Sequence, residues 1–126
     1  MTGAQLIKLA RAARENAYAP YSGFRVGAAL LGKSGKVYTG CNIENASFTP
    51  TVCAERTALF KAVSEGEREF KAIAIVGNTE KCFPCGVCRQ ALCEFCSAGF
   101  KVYLEENGKA VSYTLGELLP GKFDFK

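Results

Sequence analysis

Two short segments decide how this chain folds and what it does: Cys53-Ala54-Glu55 and Pro84-Cys85-Gly86-Val87-Cys88. Cys85 and Cys88 are three residues apart, so their side chains share a face if a helix follows Pro84. Helix N-termini favour thiolates through unpaired N–H groups and the helix dipole. We expect Cys53 to open one helix and the other two cysteines to lie in the first turn of a second helix, with the three thiols around one metal ion.

Three thiols at this spacing can hold one zinc ion, and the chain has no histidine that could replace any of them. The absence of histidine also excludes Ser-His and Cys-His catalysis. A structural zinc site uses four protein ligands, whereas a catalytic site leaves the fourth position to water. Cys41 and Cys82 remain possible fourth ligands. At a rise of about 1.5 Å per residue, Cys96 lies roughly 12 Å beyond Cys88, so we expect Cys96 and Cys93 to pack in the core.

Two other interpretations of these cysteines stay open at this point. The three residues can be merely buried side chains. The spacing Cys82-x2-Cys85-x2-Cys88 is also close to that of an iron–sulfur site. The Cys-Pro element that follows in such a run is missing here.

Glu55 distinguishes a catalytic metal site from a structural one. A glutamate near the first turn of a helix is often only a surface residue that the helix dipole favours. Two positions after a metal ligand, however, a carboxylate can reach a water at the metal, take its proton and return it to a substrate nitrogen. A structural zinc site has no use for such a group.

Length and composition indicate one cytoplasmic domain over residues 1–126. The hydrophobic fraction of 48% is that of an ordinary globular protein, no apolar run approaches the length of a membrane span, and the first residues lack a secretory pattern. Seven cysteines without such a signal indicate thiols kept reduced for metal. Because basic residues neither form a long run nor alternate with aromatic ones, we expect no nucleic acid or membrane partner.

Hydrophobic periodicity and turn residues predict an α/β fold of order α-β-β-α-β-α-β-β-α. Helical spacing of apolar residues marks the helices, and short apolar runs between turn residues are typical of strands. The predicted helices span residues 4–17, 53–65, 86–97 and 115–119, and the predicted strands 25–31, 36–41, 72–77, 100–105 and 110–114. This order suggests a five-stranded mixed sheet sandwiched by helices.

Taken together, the motifs resemble the cytidine deaminase family in its small, three-cysteine form. Zinc deaminases include a variant with three cysteine ligands and a glutamate that does not bind the metal. Four further segments carry the resemblance: Ala19-Pro20-Tyr21-Ser22, Phe24-Arg25-Val26-Gly27-Ala28-Ala29, Gly40-Cys41-Asn42-Ile43-Glu44-Asn45-Ala46 and Leu118-Leu119-Pro120-Gly121.

The resemblance implies an activity and an assembly. The activity is zinc-dependent hydrolytic deamination of cytidine and deoxycytidine to uridine and deoxyuridine, with release of ammonia, as in pyrimidine salvage. One Zn²⁺ per chain would be held by Cys53, Cys85 and Cys88, and Glu55 would be the catalytic proton carrier. The family also implies a homotetramer with composite active sites.

Substrate contacts follow from the same resemblance. Asn42 and Glu44 match the positions that hold the ribose hydroxyls, and Phe24 matches a residue that lines the base pocket. The backbone of Ala54 matches the site that meets the carbonyl edge of the pyrimidine.

The resemblance also implies contacts between subunits. Phe123 lies at the better-matching offset for an aromatic residue supplied by a neighbouring subunit, and Phe125 is the alternative. Phe48 stands where many relatives carry a tyrosine, which removes a hydroxyl from a subunit contact.

Charge balance predicts a cation beside the thiolates. Three thiolates outweigh the charge of Zn²⁺, and a bound hydroxide adds to the excess, which weakens the metal as a Lewis acid. A cation that donates hydrogen bonds to the thiolates offsets this. Arg56 and Arg89 each directly follow a cysteine segment, and Arg56 is the first choice, as in the three-cysteine relatives.

Two alternative functions remain. One is a deaminase for a nucleoside antibiotic or another heterocycle, against which the ribose-binding match of Asn42 and Glu44 argues. The other is a structural zinc module that binds a protein partner, against which Glu55 argues.

Overall fold

The computed structural model describes residues 1–125, and its elements follow the predicted order. The helices are α1 (Gly3–Arg14), α2 (Ala54–Ser64), α3 (Gly86–Phe95) and α4 (Leu115–Leu118), and the strands are β1 (Gly27–Gly32), β2 (Val37–Cys41), β3 (Phe70–Val76), β4 (Lys101–Glu106) and β5 (Lys109–Thr114). Their bounds lie within three residues of those predicted. Among residues 1–125, no helix is long and apolar enough to cross a membrane.

The five strands form one mixed sheet of order β2-β1-β3-β4-β5, which confirms the predicted fold class. Strands β3 and β4 are parallel, with Ala72 opposite Lys101 and Ile75 opposite Leu104. The other three pairs are antiparallel. A parallel pair needs a crossover connection, and α3 provides it here.

Both faces of the sheet are covered, as period-two strands require. Ala28 and Leu30 of β1 belong to the core that includes buried residues of α2 and α3, whereas Ala29 and Leu31 belong to the core beneath α1. The fold therefore has three layers: α1 covers one face of the sheet, and α2 and α3 cover the other. This arrangement places the N-termini of α2 and α3 next to each other.

Helix α1 ends three residues earlier than predicted because the chain pairs with a distant loop. The N–H of Tyr18 donates to the carbonyl of Asn42 at 3.0 Å. The N–H of Glu44 donates to the carbonyl of Tyr18 at 2.8 Å. These bonds satisfy backbone groups that a longer helix would have used. They also bring the two segments that carry Ser22 and Glu44 to one side of the α2 N-terminus.

Candidate active site

The N-terminus of α2 lies directly on strand β2 because Gly40 has no side chain. A Cβ at Gly40 would lie 2.7 Å from the carbonyl oxygen of Ala54 and 2.6 Å from the nitrogen of Ala58. Cys53 is the N-cap of this helix, with extended backbone angles (φ −76°, ψ 156°). The cysteine therefore precedes the first helical residue by one position, whereas the sequence predicted it as the first residue of the helix.

Helix α3 begins in the same way. Cys85 is its N-cap, and its Sγ accepts a hydrogen bond from the N–H of Cys88 at 3.4 Å. Cys88 lies in the first turn and is fully buried, whereas Cys85 is exposed. The predicted sharing of one helix end by the two thiols is therefore observed.

The three thiols converge on one point. The Sγ atoms of Cys53, Cys85 and Cys88 all lie within 4.8 Å of one another, and those of Cys53 and Cys85 are 3.7 Å apart. Tetrahedral zinc with Zn–S bonds of about 2.3 Å places its sulfur ligands about 3.8 Å apart, so the spacing and the donor type both fit zinc. Within residues 1–125 this group holds three thiols, which leaves one position of a tetrahedron free of protein.

The remaining cysteines lie outside this group. Cys96 is buried in the core around α3, and Cys93 packs against the same core, as predicted. Cys82 and Cys41, the two possible fourth ligands, are not part of the three-thiol group. A site with three protein ligands is the arrangement of catalytic rather than structural zinc.

Electrostatics favour a thiolate at Cys53. Hydrogen bonds from the Cys88 thiol and from Arg56 lower the pKa of Cys53 to about 5, although burial opposes this. The pKa of Cys88 is raised, because its thiol donates to Cys53 and because it is buried. Of the two thiols, Cys53 is therefore the more easily deprotonated, and Arg56 stabilises its thiolate.

Glu55 is the buried acid of the site. Only 4% of this residue is exposed, although it lies in the first turn of α2. Burial, with a smaller contribution from the nearby charge on Cys53, raises the pKa of Glu55 to about 7. The carboxylate lies beside the thiols without belonging to the metal-binding group, as expected for a proton carrier.

These groups open into one cavity of about 300 Å³. It is lined by residues from four segments: Ser22, Phe24, Val26, Asn42, Glu44, Thr51, Val52, Cys53, Ala54, Glu55, Cys82, Phe83 and Cys85. We refer to the lining residues Cys53, Glu55 and Cys85, together with the buried Cys88, as the metal end of this cavity. Ser22, Phe24, Asn42 and Glu44 form its loop end.

Comparison with known proteins places the chain in a family. A family model described as the zinc-binding region of cytidine and deoxycytidylate deaminases matches residues 2–104. The chain belongs to the cytidine deaminase family.

Individual relatives agree with this assignment over nearly the whole chain. A cytidine deaminase from Halalkalibacterium halodurans is 58% identical over 120 residues, covering 94% of this chain and 91% of the relative. One from Sporosarcina psychrophila is 54% identical over 121 residues, covering 94% and 89%. The crystal structure of a cytidine deaminase from Burkholderia pseudomallei superimposes with a TM-score of 0.92 at 50% identity, covering 98% of this chain and all of that one.

The loop end brings together the residues that the family resemblance assigned to the substrate. Phe24, Asn42, Glu44 and Ala54 all line the cavity. The amide of Asn42 joins two backbone groups: its Oδ1 accepts from the N–H of Val26 at 2.8 Å, and its Nδ2 donates to the carbonyl of Phe24 at 2.8 Å. Asn42 therefore holds the cavity wall in place, and its substrate contact stays a prediction.

Sequence reasoning considered Cys82 only as a possible fourth ligand and gave no role to five further residues of the cavity wall: Ser22, Val26, Thr51, Val52 and Phe83. Ser22 lies in a family segment, which was a usable signal, but Phe83 had none because its position depends on how the loop before α3 folds. The ring of Phe83 contacts that of Tyr113 edge to face, with centroids 5.2 Å apart. Burial raises the pKa of the Cys82 thiol to about 11, so this thiol is a neutral part of the wall.

The two arginines that follow the cysteine segments have different contacts. Arg56 donates from Nη2 to the Sγ of Cys53 at 3.4 Å, and its Nε is buried without a hydrogen-bond partner. Arg89 donates instead to the carbonyls of Pro84 at 2.7 Å and Leu118 at 2.6 Å. The geometry thus favours Arg56 as the cation that offsets the thiolate charge, while Arg89 joins α4 to the loop before α3.

The aromatic residues of the C-terminal tail lie away from the cavity of their own chain. Phe123 is 67% exposed and Phe125 is 95% exposed, and their rings contact each other with centroids 5.1 Å apart. The side-chain amide of Gln90 makes two hydrogen bonds with the backbone of Phe123: its Nε2 donates to the carbonyl, and its Oε1 accepts from the N–H. These bonds fix the tail to α3. The substrate contact of Phe123 therefore stays a prediction that requires a second subunit.

Proposed function

We propose that this chain catalyses the hydrolytic deamination of cytidine and deoxycytidine to uridine and deoxyuridine. The observation that carries the proposal is the burial of one carboxylate, Glu55, beside three convergent thiols in a cavity open to a small molecule. A cavity of about 300 Å³ is of the size that accommodates a small ligand. Relatives that are named cytidine deaminases share more than half of the residues.

The thiols of Cys53, Cys85 and Cys88 would hold zinc, which supplies the Lewis acidity that makes water nucleophilic near neutral pH. Glu55 accepts the proton that the attacking water loses as its oxygen bonds to C4 of the base. Glu55 delivers this proton to N3. It then takes the remaining proton of the oxygen added at C4 and passes it to the amino group, so that the C4–N bond breaks, the C4 carbonyl forms and ammonia leaves. Burial keeps bulk water from competing for these proton transfers.

The loop end would bind the nucleoside. Glu44 and Asn42 are proposed to hold sugar hydroxyls, Phe24 to line the base pocket, and the backbone of Ala54 to meet the carbonyl edge of the pyrimidine. An ionised carboxylate is a strong acceptor for hydroxyl groups. The same negative charge disfavours a phosphate nearby, which supports nucleosides rather than nucleotides as substrates.

One relative favours a second candidate substrate. A blasticidin-S deaminase from Bacillus cereus is 36% identical over 107 residues, covering 78% of this chain and 76% of the relative. A deaminase of a nucleoside antibiotic would use the same metal end. The loop end would then have to accept a group other than ribose.

An assay with the purified zinc-loaded protein tests the proposal. We expect cytidine and deoxycytidine to lose the cytosine absorbance with stoichiometric release of ammonia. Blasticidin S is the comparison substrate, and the Glu55→Gln variant is the control for contaminating deaminase. Turnover of blasticidin S alone would replace the first proposal by the second, and no turnover of any substrate by the zinc-loaded chain would contradict both.

We further propose that the protein is a single catalytic domain over residues 1–126 that assembles as a homotetramer in the cytoplasm and serves pyrimidine salvage. Large apolar side chains stand exposed on the surface: Phe48, Phe60, Val87, Phe123 and Phe125. Exposed patches of this kind usually mark interfaces. In the assembly, Phe123 would reach the cavity of a neighbouring subunit.

Mixing two inactive variants tests whether active sites are composite. Glu55→Gln subunits keep Phe123, and Phe123→Ala subunits keep Glu55. If sites are composite, joint refolding creates hybrid sites with both residues and restores part of the activity, whereas each variant alone stays weak. Unchanged activity of Phe123→Ala, or a fully active monomer in analytical ultracentrifugation, would refute the composite site and leave the zinc chemistry untouched.

A further inference from the structure

Ser22 lies at the loop end, has no role assigned so far, and makes hydrogen bonds to two other residues of that end, Glu44 and Phe24. Its Oγ donates a hydrogen bond to Oε2 of Glu44, and its N–H donates to Oε1 at 3.1 Å. The N–H of Tyr21 donates to the same Oε1 at 2.9 Å. Both oxygens of the Glu44 carboxylate are therefore fixed by the Tyr21–Ser22 turn.

The same hydroxyl also reaches the base side of the cavity. The Oγ of Ser22 accepts a hydrogen bond from the N–H of Phe24 at 3.0 Å, and Asn42 holds the carbonyl of Phe24. One hydroxyl thus connects Glu44 with the wall residue Phe24. Ser22 itself lines the cavity.

We infer that Ser22 is a positioning residue that orients the Glu44 carboxylate for sugar hydroxyls and ties it to the wall at Phe24. The inference rests on the proposed function, in which Glu44 contacts the sugar. A glutamate side chain has several rotatable bonds, and orienting it in advance lowers the entropy cost of binding. Three hydrogen bonds use three of the roughly four acceptor sites of the Glu44 carboxylate, so about one site, on Oε2, stays available.

The charge state of Glu44 agrees with this role. The hydrogen bond from the Ser22 hydroxyl, together with those from the Ser22 and Tyr21 N–H groups, lowers the pKa of Glu44. The carboxylate is therefore ionised at neutral pH, as an acceptor of sugar hydroxyl protons has to be.

A serine that bonds the N–H two residues later is also a common turn former, so the test has to separate positioning from turn stability. The variant is Ser22→Ala, and the two substrates are cytidine and 2′,3′-dideoxycytidine, which lacks both secondary hydroxyls. We expect KM for cytidine to rise roughly tenfold, the size of one hydrogen bond to a charged group, with kcat nearly unchanged. KM for the dideoxy substrate should change little.

Three further variants complete the experiment. Ser22→Thr keeps a hydroxyl and should restore KM for cytidine. Ser34→Ala is the matched control, because the Ser34 hydroxyl also donates to a glutamate, Glu67, at 2.5 Å but lies outside the cavity; it should leave kinetics unchanged. In a Glu44→Ala background, Ser22→Ala should add nearly nothing, since residues that act through one another are not additive.

Several outcomes would overturn the inference. An equal rise in KM for both substrates would make Ser22 a turn former only, and an unchanged KM for cytidine would remove any role. Full additivity of the Ser22 and Glu44 variants would show that they act separately. If Glu44→Ala itself left the preference for cytidine over the dideoxy substrate intact, the proposed sugar contact would fail, and the inference about Ser22 would fail with it.

Discussion

The metal end of the cavity is held by two helix N-termini, whereas the loop end is held by hydrogen bonds between loops. At the metal end, Cys53 and Cys85 cap α2 and α3, and both helices pack on the same buried face of the sheet. At the loop end, Ser22 and Asn42 fix their neighbours through side-chain bonds to backbone and carboxylate. The first arrangement comes from helix packing on the core, while the second depends on a few single polar contacts.

This difference predicts how the two ends respond to substitution. A change at the metal end should remove the chemistry, because ligands and proton carrier have no substitutes nearby. A change at the loop end should weaken substrate binding in steps, because several hydrogen bonds share the task. The following experiments test this comparison.

Cys53→Ala should have the largest effect, with loss of zinc and of activity together. Two thiols cannot hold the ion as three do, and Cys53 is the thiolate that Arg56 stabilises. Elemental analysis of the purified variant measures the loss. Cys93→Ala is the matched control, since that thiol packs against the core away from the metal group and should keep one zinc per chain. Wild-type protein with iron, or without zinc after loading, would contradict the metal end as described.

Glu55→Gln should keep zinc and fold and lose most turnover. General acid–base groups contribute roughly 10²–10⁴-fold, and one residue that serves several proton transfers can contribute more. Single-turnover kinetics with zinc-loaded variant measure the chemical step. Glu44→Gln provides the contrast at the loop end, where we expect a raised KM and a nearly unchanged kcat. Near wild-type turnover by Glu55→Gln would exclude the residue as proton carrier.

Arg56→Ala should reduce activity and zinc retention by about 10–100-fold, the usual cost of losing a group that supports a metal ligand. Arg56→Gln should be milder because an amide can still donate to the thiolate. Arg89→Ala should instead lower the melting temperature and leave zinc in place, since Arg89 bonds carbonyls at Pro84 and Leu118. Competition with a chelator measures retention. If both Arg56 variants match wild type while Arg89→Ala releases zinc, the assignment of the two arginines is reversed.

The sequence predicted the metal end better than the loop end for a physical reason. Ligand spacing such as that of Cys85 and Cys88 is local, and helix geometry converts it into a shared face. Element order is likewise local, because periodicity identifies each helix and strand separately. The early end of α1 was not predicted, because the backbone bonds of Tyr18 to Asn42 and Glu44 are distant in sequence.

The cavity wall shows the same limit. Asn42 and Glu44 were found through family resemblance rather than through spacing, and Phe83 was not found because nothing local marks a loop residue that turns toward a cavity. Phe123 marks a further limit, since its proposed contact involves a second chain. Residues whose role depends on tertiary or quaternary proximity need coordinates or relatives to be recognised.

The smallest expected effect is a change of stability with pH. It involves two glutamates that each accept a hydrogen bond from a serine hydroxyl. Glu44 accepts from Ser22 inside the cavity, and Glu67 accepts from Ser34 outside it. In each case the serine hydroxyl is the main cause of a pKa lowered from 4.5. A carboxyl whose folded pKa lies below its unfolded pKa contributes stability above the unfolded value, and this contribution is lost as pH falls through the folded value.

Both contributions should therefore be present at pH 6. They should decline as pH falls below the value near 4.3 at which unfolded glutamate titrates and through the lower folded pKa. We expect wild type to have a higher melting temperature than Glu67→Gln at pH 6, and we expect this difference to narrow at pH 3. Glu44→Gln should behave in the same way. Comparing variants at one pH cancels the release of zinc, which acid causes in all of them. An equally large difference in melting temperature for Glu67→Gln at pH 3 would mean that shape rather than charge holds this contact. The Ser22–Glu44 and Ser34–Glu67 contacts would then not be equivalent.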